Sequence, residues 1–236
     1  MQLFYNPDLD SSFSQFVFSS EESKHIVKVL RKKEGDNLSI TNGKGYFFEA
    51  KILIADARKC KAEITSTTKK HQKAHWLHLV VAPTKMNDRF EWFLEKATEI
   101  GVNEITPIIC DHSERKIVKT ERMQKVILTA MKQSLQAYLP KLNAPTTFKE
   151  FMSSNCKEGL LFIAHCEEEE KIELKRRVAP DKDVTILIGP EGDFSSSEIK
   201  AAYNSGFLPV SLGENRLRTE TAAIFACTTV ALINNG

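Results

Sequence analysis

The sequence predicts an α/β fold in which a small strand-rich segment precedes a larger domain built on a mostly parallel sheet. Three observations lead there. Short apolar runs at Leu77 to Ala82, Leu160 to Ala164, Val184 to Ile188 and Leu208 to Leu212 are each followed by helical text, the pattern of buried parallel strands with helices on their faces. Earlier in the chain, Asn37 to Thr41 and Tyr46 to Ile54 are β-like runs around Asn42-Gly43-Lys44-Gly45, a hairpin signal because Asn and Gly tolerate positive φ. Between these two grammars lies Ser66 to Ala74, rich in Thr, Lys and His, which reads as a linker. The 236 residues therefore divide into two expected domains, 1–70 and 74–236.

In the first domain Ser19 and Glu22 make a Ser-x-x-Glu capping box, so a helix is expected from there through Arg31. Lys24, Lys28 and Arg31 then share one face at i, i+4, i+7 spacing, as a solvated face or as a stripe contacting phosphates. Cys60 to Thr65 offers a further strand. In the second domain a helix from Arg89 to Ile100 is closed by Gly101, Glu104 to Cys110 is extended, and a long helix is expected from Thr120 to Ala137. Glu167 to Glu170 fits the solvated first turn of a helix, where the macrodipole favours negative charge.

Hydrophobic content of 42% and charged content of 27% match ordinary globular usage and argue against wholesale disorder. The longest apolar stretch, Ala222 to Ile233, is broken by Thr228 and Thr229 and is shorter than the roughly 20 residues that span a bilayer. Gln2 to Asp10 is polar and acidic, unlike a secretory leader, so a cytoplasmic address without a membrane partner is expected. The five cysteines, Cys60, Cys110, Cys156, Cys166 and Cys227, form no Cys-x-x-Cys pair and read as reduced, with no metal site. A net charge of +2 is too small to announce nucleic-acid binding, which must rest on where the charges sit.

Gly-x-Gly-x-x-Gly, a Walker loop, His-Glu-x-x-His and a nucleophile elbow are all missing. Two other segments stand out. Ile186-Leu187-Ile188-Gly189-Pro190-Glu191-Gly192-Asp193-Phe194 ends a strand in a loop whose two glycines permit unusual backbone conformations and the approach of a ligand to the main chain. A helix capped by Ser195 and Glu198 follows. Taken alone, Gly-Pro-Glu-Gly also suits a plain tight turn. The second segment, Leu212-Gly213-Glu214-Asn215-Arg216-Leu217-Arg218-Thr219-Glu220-Thr221-Ala222, again runs strand, loop, helix, with Thr219 placed as an N-cap.

Gly189-Pro190-Glu191-Gly192, then Leu212-Gly213 and Leu217-Arg218-Thr219-Glu220-Thr221-Ala222, resemble the paired signatures of the 16S ribosomal RNA uridine N3-methyltransferase family within the SPOUT superfamily. Lys85-Met86-Asn87-Asp88-Arg89 leading to Glu95 through Val102 resembles that family's first helix, and His25 to Arg31 with Gly35-Asp36 its N-terminal module. The resemblance covers the whole chain. Two positions depart from it: Asp193 stands where a second glycine is expected, and Asn215-Arg216 where Arg-Ile is commoner.

The resemblance implies a PUA-like RNA-binding β-barrel followed by a SPOUT-type trefoil-knotted domain, an exception to the rule that chains do not thread. It implies S-adenosyl-L-methionine as cofactor, held by Ala164 and His165, by Ile188, Gly189, Pro190, Glu191 and Gly192, and by Leu212, Gly213, Leu217, Arg218, Thr219 and Ala222. Methylation of a uridine N3 requires loss of the imide proton and a cation beside O2 and O4, which Arg218 and Arg216 would supply. Glu220 is a candidate base, or alternatively a charge that stabilises the helix N-terminus or pairs an arginine. Lys24, Lys28, Arg31 and Arg89 are the expected RNA contacts. The implied partners are 16S rRNA, within a 30S particle or late assembly intermediate, and a second copy of the chain against the Ala222 to Ile233 helix. A different RNA nucleotide as target, or an RNA-binding assembly factor without catalysis, are the alternatives.

Overall fold

The computed structural model describes residues 2–154 and 159–234. They fall into two compact units, Met1–Gln72 with Met131–Leu139, and Lys73–Ala130 with Pro140–Gly236. The expectation of two continuous segments thus meets a return: nine residues from the middle of the chain belong with the first unit. Main-chain pairing explains it. The Gly45 N–H donates to the Ala137 carbonyl at 2.9 Å and the Leu139 N–H to that of Gly43 at 2.9 Å. A Cβ on Gly45 would lie 2.3 Å from the Tyr138 hydroxyl, so this glycine clears space for the returning segment as well as taking φ 96°.

The first unit carries β1 (Leu3–Tyr5), β2 (Gln15–Val17), α1 (Ser20–Lys24), β3 (Asn37–Thr41), β4 (Tyr46–Ile54) and β5 (Lys61–Lys69). Its sheet runs β1-β3-β4-β5-β2, with β3 and β4 forming the expected hairpin. Along β4 Phe48, Ala50 and Ile52 are buried while Glu49 and Lys51 face water, a period of two that gives the sheet one apolar face. That face packs Phe4, Phe16, Phe18, Ile26, Leu38 and Ile40 into the unit's core.

Two expectations fail in this unit. Ser66 to Lys69 is not linker: it continues β5 and pairs with Tyr46 to Glu49, because the threonines there suit a pleated, half-solvated ladder. The helix from Ser19 also ends early. Ser19 accepts the Glu22 N–H at 3.2 Å as a cap should, but α1 gives way to a π turn, His25–Val29, and Arg31 takes φ 55°. A π turn advances by i to i+5 bonds, so Lys24, Lys28 and Arg31, though all exposed, do not form a single α-helical stripe.

The second unit contains β6 (Leu77–Val81), α2 (Asn87–Ile100), β7 (Glu104–Ile109), α3 (Thr120–Gln133) up to Ala130, β8 (Lys141–Leu142), β9 (Thr146–Thr147) and α4 (Phe148–Ser153). It continues with β10 (Leu160–Ala164), β11 (Ile172–Glu173), α5 (Leu174–Arg177), β12 (Val184–Ile188), α6 (Ser196–Asn204), β13 (Leu208–Ser211) and α7 (Thr219–Asn234). The sheet runs β11-β13-β10-β12-β6-β7-β8, β9 pairs with β7, and every pairing is parallel. β6 and β12 are buried at every position, which is why they read as apolar runs interrupted only by His78 and Thr185. Gly101 closes α2 at φ 107°, as its place in the sequence predicts.

Three expectations need correction here. α3 stops at Gln133, short of Ala137, with Leu135 at φ 55° just beyond. Glu167 to Glu170 starts no helix: it is a bend whose carboxylates accept from Ser196 and Tyr203 on α6. Thr219 opens α7 as its first residue instead of capping it. On α7, Ala222, Ala223, Ala226, Cys227 and Val230 are buried, whereas Phe225 and Leu232 are exposed. Cys60, Cys110, Cys166 and Cys227 are free thiols, and Cys156 lies outside the described residues.

Candidate functional site

In the sheet register Ala164 lies beside both Ile188 and Val210, so β10, β12 and β13 end together. Beyond those ends lies a cavity of about 850 Å³, the position at which parallel α/β sheets generally bind ligands. Three loops wall it.

The first loop follows β12. Ile188, Gly189 and Pro190 are buried, and the Thr219 hydroxyl donates to the Gly189 carbonyl at 3.0 Å, tying this loop to α7. Asp193 takes φ 64°, the left-handed conformation that a glycine would adopt freely. Its carboxylate accepts the Phe194 N–H at 2.8 Å and the Cys166 N–H at 2.7 Å, bonds that offset the strain and brace the neighbouring loop. The departure from the expected glycine is therefore structurally accommodated. Gly189 and Gly192, by contrast, are not among the glycines with positive φ, so the unusual backbone conformation expected of them is absent. They supply room: a Cβ on Gly189 would stand 3.0 Å from the Phe194 ring, and one on Gly192 would stand 3.1 Å from His112 Cβ. His112 Nδ1 lies 3.0 Å from the Gly192 carbonyl, and Glu191 accepts the Lys85 N–H at 3.0 Å.

The second loop follows β13. Gly213 to Arg216 is exposed, and Arg216 and Arg218 both line the cavity and face solvent. The third loop follows β10 and begins at His165, whose Nε2 lies 2.8 Å from the Tyr203 hydroxyl and 3.0 Å from Glu169 Oε1. Burial, reinforced by Lys171, lowers the His165 pKa, so the ring is neutral near pH 7. Its Nδ1 is buried with no protein partner among the described residues, leaving a polar atom for a ligand to satisfy. Burial also raises the Cys166 thiol, with Asp193 adding to it, which disfavours a thiolate there.

Of the residues expected to hold a cofactor, Ala164, His165, Ile188, Gly189, Pro190, Glu191, Leu212, Gly213, Leu217, Arg218, Thr219 and Ala222 line this cavity, together with Arg216. Gly192 does not, because it turns toward His112. Glu220 does not either: it is buried in the first turn of α7 and its carboxylate lies 3.8 Å from Arg89 Nε. Glu220 is thus engaged away from the cavity, as its alternative reading has it, and Arg89, expected as an RNA contact, is half-buried against it. Cys166, Glu167 and Lys171, in the loop after β10 where no motif marks them, also line the cavity, as do Asp193 and Glu214 of the two signature loops.

Apolar strand ends such as Ile188 and Val210, main chain near Gly189 and Gly213, and two cations at the mouth suit a ligand that is part flat heterocycle and part charged. Among the described residues no cluster of His, Cys, Asp and Glu could hold a metal ion, and no helix is long and apolar enough to cross a membrane.

Residues 70–231 match the RNA methyltransferase domain family, and residues 18–65 match the RNA methyltransferase PUA domain family. The chain is 32% identical over 235 residues to the ribosomal RNA small subunit methyltransferase E of Buchnera aphidicola, covering 96% of this chain and 91% of that protein. Among solved structures, a Porphyromonas gingivalis chain described as a probable rRNA-methyltransferase superposes with TM-score 0.91 at 39% identity, over 100% of this chain and 99% of that one. The Neisseria gonorrhoeae ribosomal RNA small subunit methyltransferase E, bound to S-adenosyl methionine, superposes with TM-score 0.85 at 25% identity, over 98% of its chain and 99% of this one. With its signature loops meeting at one cavity and both domain families matched, the chain belongs to the ribosomal RNA small subunit methyltransferase E family.

Proposed function

We propose that this protein transfers a methyl group from S-adenosylmethionine to N3 of one uridine in 16S ribosomal RNA, acting in the cytoplasm on a 30S particle or late assembly intermediate. The observation that carries the reading is the cavity at the ends of β10, β12 and β13, with Arg216 and Arg218 at its mouth. The unpartnered His165 Nδ1, the bare approach at Gly189 and the apolar strand ends fit an adenosine. In this arrangement the chain threads as a trefoil knot through the three loops.

When bound, the cofactor supplies a methyl group on a positively charged sulfur. The protein's task is to make uridine N3 a nucleophile. Arg218 and Arg216, placed beside O2 and O4, stabilise the imide anion, and the N3 proton passes to water at the open mouth. Of the lining carboxylates, Glu191 already accepts from Lys85, Glu167 from Ser196, and Asp193 from two main-chain N–H groups, while Glu214 is exposed on the loop after β13. Glu220 acts from behind, fixing the start of α7 through Arg89. As N3 gains the methyl, the carbon–sulfur bond breaks and the cofactor leaves as a neutral thioether.

The exposed Phe225 and Leu232 on α7 supply an apolar face for a second copy in a symmetric dimer, and the exposed Lys24, Lys28 and Arg31 supply phosphate contacts in the strand-rich unit. Mass mapping of methylated nucleotides in 16S RNA from cells with and without the gene tests the whole reading. One N3-methyluridine should vanish in the deletion and return when purified protein and S-adenosylmethionine are added to the 30S subunits. An unchanged uridine pattern would overturn it.

A further inference from the structure

Away from the cofactor cavity, and sharing no residue with it, the α/β unit has a small cleft of about 60 Å³ between the start of α2 and the start of α3. Phe90 and Met123, both buried, make part of its wall. Arg115, Lys119 and Arg122 line it, and Glu91 is its one lining carboxylate. Glu91 is taken by Arg122, whose Nη2 lies 2.8 Å from Glu91 Oε2. Arg115 donates its Nε to the Ile117 carbonyl at 3.0 Å, which fixes the side chain and leaves its terminal nitrogens undirected by that bond. No carboxylate stands within ion-pair distance of Arg115 or Lys119 among the described residues. The cleft thus holds two cations in excess, with Lys116 exposed alongside.

This charge sits next to the reaction site. The segment that bears Arg115 leaves β7 through Asp111, whose N–H donates to Glu198 at 3.0 Å, and His112, which contacts the Gly192 and Asp193 carbonyls. Glu114 then pairs with Lys85 at 2.7 Å, and Lys85 donates its N–H to Glu191 in the wall of the cavity. On the other side, one turn of α2 presents Arg89 to Glu220 at the start of α7 and Glu91 to Arg122 in the cleft. The cleft is therefore fastened to the loop after β12 and to the start of α7 through main-chain and ionic contacts.

We propose that Arg115 and Lys119 form a backbone clamp in the methyltransferase unit itself, gripping phosphates of the RNA strand that flanks the target nucleotide. The inference rests on the proposed function for the identity of the polymer. Unpaired cations on a rigid apolar floor suit a polyanion, whose binding releases condensed counterions, and they confer no base preference. An acidic protein is the competing occupant, and the salt response distinguishes it.

The test uses the double substitution Arg115→Gln with Lys119→Gln, and the charge-preserving Arg115→Lys with Lys119→Arg, on 30S subunits from cells lacking the gene. The glutamine pair should raise the KM for subunits about tenfold at 0.15 M salt, leave kcat at saturation and S-adenosylmethionine affinity unchanged, and flatten the plot of log affinity against log salt by about 0.7–0.9 for each phosphate no longer gripped. The charge-preserving pair should restore most of the binding. A wild-type KM and salt slope in the glutamine pair, with an unaltered melting temperature, overturns the clamp alone. Failure of the wild-type protein to bind or methylate subunits overturns the proposed function and the clamp together.

Discussion

The two signature loops close one cavity on opposite plans. The loop after β12 is buried from Ile188 to Pro190 and cross-braced by Thr219, His112, Lys85 and the double role of Asp193. The loop after β13 is exposed from Gly213 to Arg216, and its described hydrogen bonds before α7 are an exchange between Ser211 and Gly213. On the proposed function the difference separates two tasks. A small cofactor is held best by a surface already in its final shape, because no ordering cost is added on binding. A polymer substrate arrives in its own conformation, and arginines on a loosely bonded loop can meet it.

The sharpest break of this contrast is Arg218→Ala. If the second loop serves the substrate's developing charge, kcat should fall by about 10²–10³-fold while S-adenosylmethionine affinity changes little. Single-turnover methyl transfer and calorimetric titration read the two effects separately. Loss of cofactor affinity equal to the loss of rate would merge the two loops into one task.

Next in size is Gly189→Ala. A methyl 3.0 Å from the Phe194 ring and 3.3 Å from its backbone N must push the buried ring back by a few tenths of an ångström, at a cost of about 1–3 kcal/mol and about a tenfold loss of cofactor affinity. Gly213→Ala meets no atom within 4 Å, so only its φ of 119° is penalised and the cofactor should be less affected. Reversed ranks in melting temperature and titration would show that the second loop is the stiffer one.

Thr219→Val removes the donor from the buried Gly189 carbonyl and should cost about 1–2 kcal/mol, with Thr219→Ser recovering most of it. Denaturant unfolding gives the number; equal stabilities for Val and Ser would mean that the bond does not brace the loop.

The smallest effect is a pH dependence. Burial lowers the His165 pKa in the fold, so below the ordinary imidazole range the unfolded chain binds a proton that the folded chain refuses. The resulting stability is present above that range and fades as pH falls through it. Wild type should lose more melting temperature between pH 7.5 and 5.5 than His165→Gln does, and identical losses would remove this wall of the cavity from the pH account.

Much of this architecture is legible in the sequence for a definite reason. β6 and β12 are buried on both faces, so they read as apolar runs with a single polar residue each, His78 and Thr185, and Ser195 with Glu198 reads as a capping box because both arms of it form. What escapes depends on distant parts of the chain. The return of Met131–Leu139 to the first unit rests on Gly43 and Gly45, which locally look like turn residues only. The π turn at His25–Val29 accompanies the full burial of Ile26, which an α-helical period does not display. In the site, a glycine spared for a ligand and a glycine spared for His112 are identical letters, so Gly192 reads as a cofactor contact although its neighbour is His112. Glu220 reads as a free carboxylate beside two arginines, and only the placement of α2 brings Arg89 against it.

The hydrogen bond from Thr219 to Gly189 also has a bearing on how the chain matures. A ribosome makes this polypeptide from its N-terminus, and β12 is complete well before α7 exists. Until α7 docks, the Gly189 carbonyl lacks its protein donor, and Leu217, Arg218 and Ala222 are missing from the cavity wall. On the proposed function, a chain that has formed β12 but not yet docked α7 should not capture the cofactor.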